Sequence, residues 1–133
     1  MRLTQFSDYA IRLLITVALA KGKAVTVADA AAHLHVSRNH LVKVAHMLVR
    51  AGILSGTRGR SGGLTLHRRA EDIRIGELLR ITEPDFDLVK CFSTPGACTL
   101  EPICRLPASL HDAKHAFLGE LDKHTLADII ARA

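Results

Sequence analysis

The sequence predicts a mainly α fold with a small β wing, on three observations. Apolar residues recur at intervals of three and four in several stretches that open on Ser or Thr and close near Gly or Pro, the mark of capped amphipathic helices. One Gly-rich segment, Ile53 to Leu66, alternates at both ends instead, as a β-hairpin does. With 133 residues, 48% of them apolar, the chain suits one compact unit with an added arm rather than two independent domains.

The first helix starts at Thr4 or Ser7, either of which can cap it, and runs to about Ala20 with Ile11, Leu14, Ile15, Ala18 and Leu19 as its buried stripe. Lys21-Gly22-Lys23 closes it with basic residues at the negative end of the helix dipole and a Gly to turn on. A second helix, Val27 to His33, is capped by Thr26, and its alanines permit close packing. Leu34-His35-Val36 makes a tight connection, and Ser37 caps a third helix that reaches about Ala51. At about 100° per residue, Leu41, Val44, Ala45 and Leu48 share one side of it, while Asn39, Lys43, His46 and Arg50 share the other. Arg38, Asn39 and His40 occupy its first turn, where Arg and Asn can pair with guanine and adenine edges. The three helices therefore read as a helix-turn-helix whose third member fits a major groove.

The hairpin follows Gly52. Its glycines allow close approach to a nucleic-acid backbone, and Arg58 and Arg60 can contact phosphate or enter the minor groove. Its Gly spacing matches neither a phosphate loop nor a dinucleotide fingerprint. Charge agrees: residues 1–70 hold 11 Lys/Arg against 2 Asp/Glu, a balance of +9, whereas residues 71–133 hold 7 against 11, a balance of −4. The basic half is the one that faces a polyanion. The longest apolar run, Ala10 to Ala20, is broken by Arg12 and falls short of the ~20 residues a membrane span needs. Asp8 precedes it and no small-residue cleavage site is present, so the expectation is a cytoplasmic, reduced chain.

A short strand at Ile73-Arg74-Ile75 leads into a helix carrying Ile75, Leu78, Leu79 and Thr82, which Glu83-Pro84 ends. From Asp85 to Ile103 no period is sustained, and Pro95, Gly96 and Pro102 accompany Cys91 and Cys98, with Cys104 following. These are the chain's three cysteines, so one internal disulfide leaves a thiol unpaired; metal ligation has no such parity problem, since three thiolates and one further donor complete an iron or zinc site. From Leu106, the residues Leu106, Leu110, Ala113, Phe117 and Leu121 form a long helical stripe that a symmetric partner helix can bury. A last helix, Leu126 to Ala131, is capped by Thr125 with Asp128 three positions on, and Leu126, Ile129 and Ile130 should pack back on the core. The chain thus divides into a winged helix-turn-helix at 1–82, a cysteine segment at 83–105, and a dimerisation helix with a terminal helix at 106–133.

Several runs together carry a family likeness: Leu3-Thr4-Gln5-Phe6-Ser7-Asp8-Tyr9-Ala10, Val36-Ser37-Arg38-Asn39-His40-Leu41-Val42-Lys43-Val44, Arg58-Gly59-Arg60-Ser61-Gly62-Gly63, Ile73-Arg74-Ile75-Gly76, the cysteine trio, and Phe117 to Asp128. Over nearly the whole chain they resemble the NsrR family, nitric-oxide-sensitive bacterial repressors related to the iron-sulfur regulator IscR. The resemblance implies a homodimer on operator DNA, with one iron-sulfur cluster per subunit held by Cys91, Cys98 and Cys104. A four-iron, four-sulfur cluster is implied first, and a two-iron, two-sulfur cluster is the alternative. IscR-like proteins place a His three residues after the third cysteine; Pro107 stands there instead, which argues against that branch. The fourth ligand implied for NsrR-like proteins is Asp8, reaching across the dimer, with Arg12 and Glu83 as its switch partners once the cluster is lost. Asp85, Asp87 and His111 are the next candidates.

The function implied is repression of nitric oxide detoxification genes, relieved when nitric oxide attacks the cluster. DNA contact is expected from Ser37, Arg38, Asn39, His40, Lys43, His46, Arg50, Arg58 and Arg60. The alternatives are a zinc-binding or thiol-redox winged-helix regulator and a cluster-homeostasis regulator of the IscR type. No nucleophile, acid–base pair or cofactor loop points to an enzyme.

Overall fold

A computed structural model describes residues 2–130. Helix α1 spans Gln5–Leu19. Thr4, rather than Ser7, caps it: its hydroxyl accepts the Ser7 N–H at 3.2 Å. Ser7 is instead fully buried, its hydroxyl 2.7 Å from that of Thr82. Lys21 and Gly22 then turn left-handed (φ 50° and 86°) and release the chain. Helix α2 covers Val27–Leu34 and stops at His35, whose φ of 54° is one that His tolerates better than most residues.

Helix α3 covers Arg38–Arg50 and buries Leu41, Val44, Ala45 and Leu48, the stripe its periodicity implies. Ser37 occupies the cap position, but its hydroxyl makes no capping bond. Gly52 (φ 69°) closes α3: its own N–H reaches the Val49 carbonyl at 3.0 Å, and the Ile53 N–H reaches that of Leu48 at 3.0 Å. The chain leaves directly into strand β1, Leu54–Thr57, which pairs antiparallel with β2, Gly63–Leu66, in the register Leu54 to Leu66 and Thr57 to Gly63. Val25 adds a bridge to Leu64, with N–H···O bonds of 2.9 and 2.7 Å. That bridge pins the wing to the lead-in of α2. It also explains Gly63, where a Cβ would lie 2.8 Å from the Val25 carbonyl oxygen.

The short strand expected at Ile73-Arg74-Ile75 is not formed. A single turn of 3-10 helix occupies Ala70–Asp72, Arg74 makes one isolated bridge to Thr125, and Ile75 already opens helix α4, Ile75–Thr82. The reason is the partner: only the short connection before the last helix lies alongside, giving bonds from the Ile75 N–H to His124 and from the Leu126 N–H to Ile73 and nothing longer. The cysteine segment also differs from a plain loop, since Lys90–Ser93 closes one turn of helix, α5. Helix α6 spans Leu106–Leu121, with Pro107 in its first turn where a missing N–H is tolerated. Helix α7, Leu126–Ile130, is boxed by Thr125 and Asp128: the Thr125 N–H donates to the carboxylate at 2.7 Å, and the Asp128 N–H donates to the hydroxyl at 3.2 Å. Leu126 is fully buried, but Ile129 is 44% exposed and not in the core. The expected end at Ala131 lies outside the described residues.

One core joins these parts. Leu13 and Leu14 of α1, Leu41 and Leu48 of α3, Ile53, Ile73, Leu78 and Leu126 are all at or near zero exposure. Helix α6 is fastened to α4 from outside: Leu118 is buried, and Arg80 meets the Asp122 carboxylate in a two-pronged pair at 2.7 and 2.7 Å. Arg74 adds a bond to the Asp122 carbonyl at 2.6 Å. No described helix is long and apolar enough to cross a membrane.

Candidate functional site

The buried stripe of α3 fixes which of its side chains face outward. Arg38, Asn39, His40, Lys43, His46 and Arg50 are all exposed, as is Ser37. Arg38, Lys43, His46 and Arg50 line one groove together with Thr57 and Arg58 of the wing. Asn39, His40 and Arg60 are exposed but do not line it. The groove is thus walled by a basic helix face on one side and a basic hairpin on the other, an arrangement suited to a phosphate backbone and the groove beside it.

Sequence reasoning missed its third wall. Thr26, Val27 and Ala28 line the groove from the start of α2, and Thr26 reads from the sequence only as a cap. It does cap, accepting the Asp29 N–H at 3.0 Å and donating to the Asp29 carboxylate at 2.7 Å. Its place in the groove comes from the Val25–Leu64 bridge, which no local pattern encodes.

The second candidate site begins at the far end of α4. Glu83 accepts hydrogen bonds from the Thr4 N–H at 2.8 Å and the Thr4 hydroxyl at 3.1 Å, tying the cysteine segment to the first turn of α1. One turn on, Asp8 pairs with Arg12, 3.1 Å between carboxylate and Nε, with both side chains about half exposed. Of the three residues expected to act as a switch, the structure joins Asp8 to Arg12 and places Glu83 on Thr4. Glu83, Phe86, Asp87 and Leu88 form with Arg2, Leu3 and Phe117 a groove between the start of the chain and α6.

The three thiols are free, Cys91 half-buried and Cys98 and Cys104 exposed. Every residue from Ser93 to Leu100 is exposed. The segment is shaped by short local bonds, among them Cys104 N–H to Leu100 at 2.9 Å and Gly96 N–H to the Glu101 carboxylate at 2.7 Å. Among the described residues no three His, Cys, Asp or Glu side chains are gathered closely enough to hold a metal. Cys91, Cys98, Cys104 and Asp8 are thus not brought together within one chain. As a donor set they still suit iron: three soft thiols on a segment with no core of its own, and a carboxylate as the harder fourth donor.

Comparison with known proteins agrees with the fold and with the basic groove between α3 and the wing. The chain matches the Rrf2 family, described as iron-dependent transcriptional regulators, over residues 3–132. It is 41% identical over 132 residues to the HTH-type transcriptional regulator NsrR of Geobacillus kaustophilus (strain HTA426), a match covering 98% of this chain and 90% of that protein. The protein of the same name from Bacillus subtilis (strain 168) is 40% identical, with the same shares covered. Among solved structures, T. potens IscR aligns with a TM-score of 0.79 at 22% identity across 99% of this chain and 88% of that one. CymR of B. subtilis, described as a global cysteine regulator, aligns at 0.74 and 21% identity, covering 100% and 98%. Those two likenesses show the fold, the mainly helical chain with one two-stranded wing expected from the sequence. Taken with the basic groove between α3 and the wing, the match over nearly the full length shows that the chain belongs to the Rrf2 family, DNA-binding transcriptional regulators rather than enzymes.

Proposed function

We propose that the chain is a nitric-oxide-sensing repressor that binds operator DNA as a homodimer, with an iron-sulfur cluster of the four-iron, four-sulfur type held by Cys91, Cys98 and Cys104 of one subunit and by Asp8 reaching across the dimer. The observation that carries this reading is the donor set: three free thiols on a segment that is exposed from Ser93 to Leu100 and has no core of its own, while Glu83 ties the start of that segment to Thr4 at the head of α1. The names of the NsrR relatives support it. A cluster bound there supplies iron that reacts with nitric oxide. The chain's own residues do the rest. The thiolates of Cys91, Cys98 and Cys104 close the exposed segment on itself, giving it an order its sequence cannot supply. Asp8, a hard donor on a thiolate-preferring centre, is the weakest link of the four, and Arg12 stands one turn away to receive its carboxylate on release. Because α1 packs directly on α3, a change in what holds Asp8 acts on the element that carries the basic face.

The test is anaerobic purification followed by visible spectroscopy and operator titration, before and after added nitric oxide. The expected result is a coloured protein whose visible spectrum changes to that of an iron-nitrosyl species as its operator affinity falls, and a colourless but folded Cys98→Ala protein that no longer responds. A colourless wild type holding zinc would replace the cluster with the zinc reading. A coloured protein with affinity unchanged by nitric oxide would remove the sensing step.

A further inference from the structure

Helix α6 carries a pair of side chains that belong neither to the DNA groove nor to the four donors proposed for the cluster, Cys91, Cys98, Cys104 and Asp8. His111 and His115 are one turn apart and exposed, and their Nε2 atoms lie 3.3 Å from one another. The rings meet edge to face, with centroids 4.4 Å apart and planes inclined by 63°. We propose that His111 and His115 form a two-imidazole site for a divalent transition ion of the nickel, copper or zinc class, distinct from the cysteine segment.

The geometry supports that use. Histidines four apart on a helix project from the same face one above the other, so a metal there bridges successive turns without moving the backbone. A contact of 3.3 Å between the two Nε2 atoms requires one to donate and the other to accept. Both lone pairs turn toward a shared point once the donor ring shifts its proton to Nδ1. That is a change of tautomer with no net proton or electron lost, and the metal replaces the bridging hydrogen. Among the described residues neither Nε2 has a second partner to give up. The cation between them in sequence, Lys114, is placed over the Phe92 ring at 5.6 Å. Imidazole pairs favour nickel, copper and zinc over the harder magnesium and calcium ions, and a second ligand held at fixed spacing raises affinity through its high effective concentration.

The pair also lies clear of the apolar stripe. At about 100° per residue, His111 and His115 sit roughly 120° and 160° around the helix from Phe117. A metal held there leaves open coordination positions pointing to solvent, where a further donor can join. The site therefore stands whether or not the cluster or the dimer reading holds.

The test uses the full chain with its three thiols alkylated by iodoacetamide, so that neither a cluster nor a cysteine-bound metal contributes. Copper(II) is titrated and followed by electron paramagnetic resonance, and zinc(II) by thermal unfolding. One copper site per chain with imidazole nitrogen splitting is expected, along with a zinc-dependent rise in Tm. His111→Ala and His115→Ala should each weaken copper binding at least about tenfold and abolish the Tm rise. His124→Ala, which alters the looser contact with Glu120 at 3.8 Å, should change neither. Circular dichroism checks that each variant stays helical. Copper affinity unchanged in both His111→Ala and His115→Ala, or lost in His124→Ala instead, overturns the proposal.

Discussion

Asp8 lies 3.1 Å from the Arg12 guanidinium on an exposed flank of α1, so the ion pair itself adds little to stability, ~0.3–0.5 kcal/mol for such a pair. A residue of so little structural value can be spared for ligation. Asp8→Ala should therefore leave folding stability within about 0.5 kcal/mol of wild type while shifting the visible spectrum of the cluster-loaded protein and its operator affinity. Arg12→Ala should leave that spectrum unchanged and alter operator affinity only after nitric oxide treatment. Titrations of both variants with cluster content measured in the same samples decide it; a wild-type spectrum in Asp8→Ala moves the fourth ligand to Asp85, Asp87 or His111. At this scale the sequence was legible where chemistry is local. The cysteines announce themselves by type, and the α3 basic residues by periodicity. Glu83 was legible as a helix stop and, through the resemblance, as a switch partner, but its bond to Thr4 was not, because it joins residues 79 positions apart; Thr26 was legible only as a cap.

Among the elements, α3 and the wing make the clearest separate demands. If Arg38 or Asn39 reads a base edge, its change to Ala should cost ~1–3 kcal/mol of operator binding and relax sequence preference. Lys43→Ala should weaken all sequences alike and lower the salt slope by about one unit. Fluorescence anisotropy across several salt concentrations separates the two, and unchanged affinity in all three variants places the reading face elsewhere. The α4–α6 contact makes a different demand. A Cβ on Gly76 would overlap the Asp122 carboxylate and stand 2.8 Å from the Leu118 carbonyl oxygen; the first can swing away, but the second is backbone. Gly76→Ala should destabilise the fold by about 1–3 kcal/mol in urea denaturation and loosen α6 from α4. Elements were readable from sequence when their order is intrinsic, as for α3 with its four-residue stripe and Gly52 stop. They were misread when order is borrowed: Ile73-Arg74-Ile75 alternates like a strand, yet its conformation is set by the single bridge to Thr125.

The whole molecule leaves apolar area uncovered along one side of α6 and the adjoining segment. Leu106 is 56% exposed and Ile103 81%, whereas Leu118 on a neighbouring stripe already packs against α4. The helix thus serves its own core with one stripe and offers another, the one read from sequence for a partner subunit. Leu106→Glu should shift the protein toward monomer in analytical ultracentrifugation and weaken operator binding at low protein concentration, while thermal unfolding of the monomer changes little. An unchanged sedimentation coefficient would place the interface elsewhere. Acid should act on ion pairs within the chain, at the α4–α6 contact and at the head of α4. Hydrogen bonds from Arg80 hold the Asp122 carboxyl below its usual value, and those from Arg68 do the same for Glu77. The stability they lend is fully present above the unfolded values near ~4 and fades as pH falls through the lower folded ones. Asp122→Asn should lose stability at neutral pH and decline less steeply in acid; a decline parallel to wild type would show that the pair does not couple folding to protons.

The bond between Thr4 and Glu83 has a practical side as well. Arg2 and Leu3 lie in the groove lined by Glu83, Phe86 and Leu88, next to the segment that carries the cysteines. A polyhistidine tag fused ahead of Arg2 would emerge beside the start of that segment, at residues 83–88, and its flexible imidazoles could compete for iron that the cysteines collect. Preparations tagged at that end and preparations freed of the tag by protease should therefore be compared for bound iron before either is taken as the native protein.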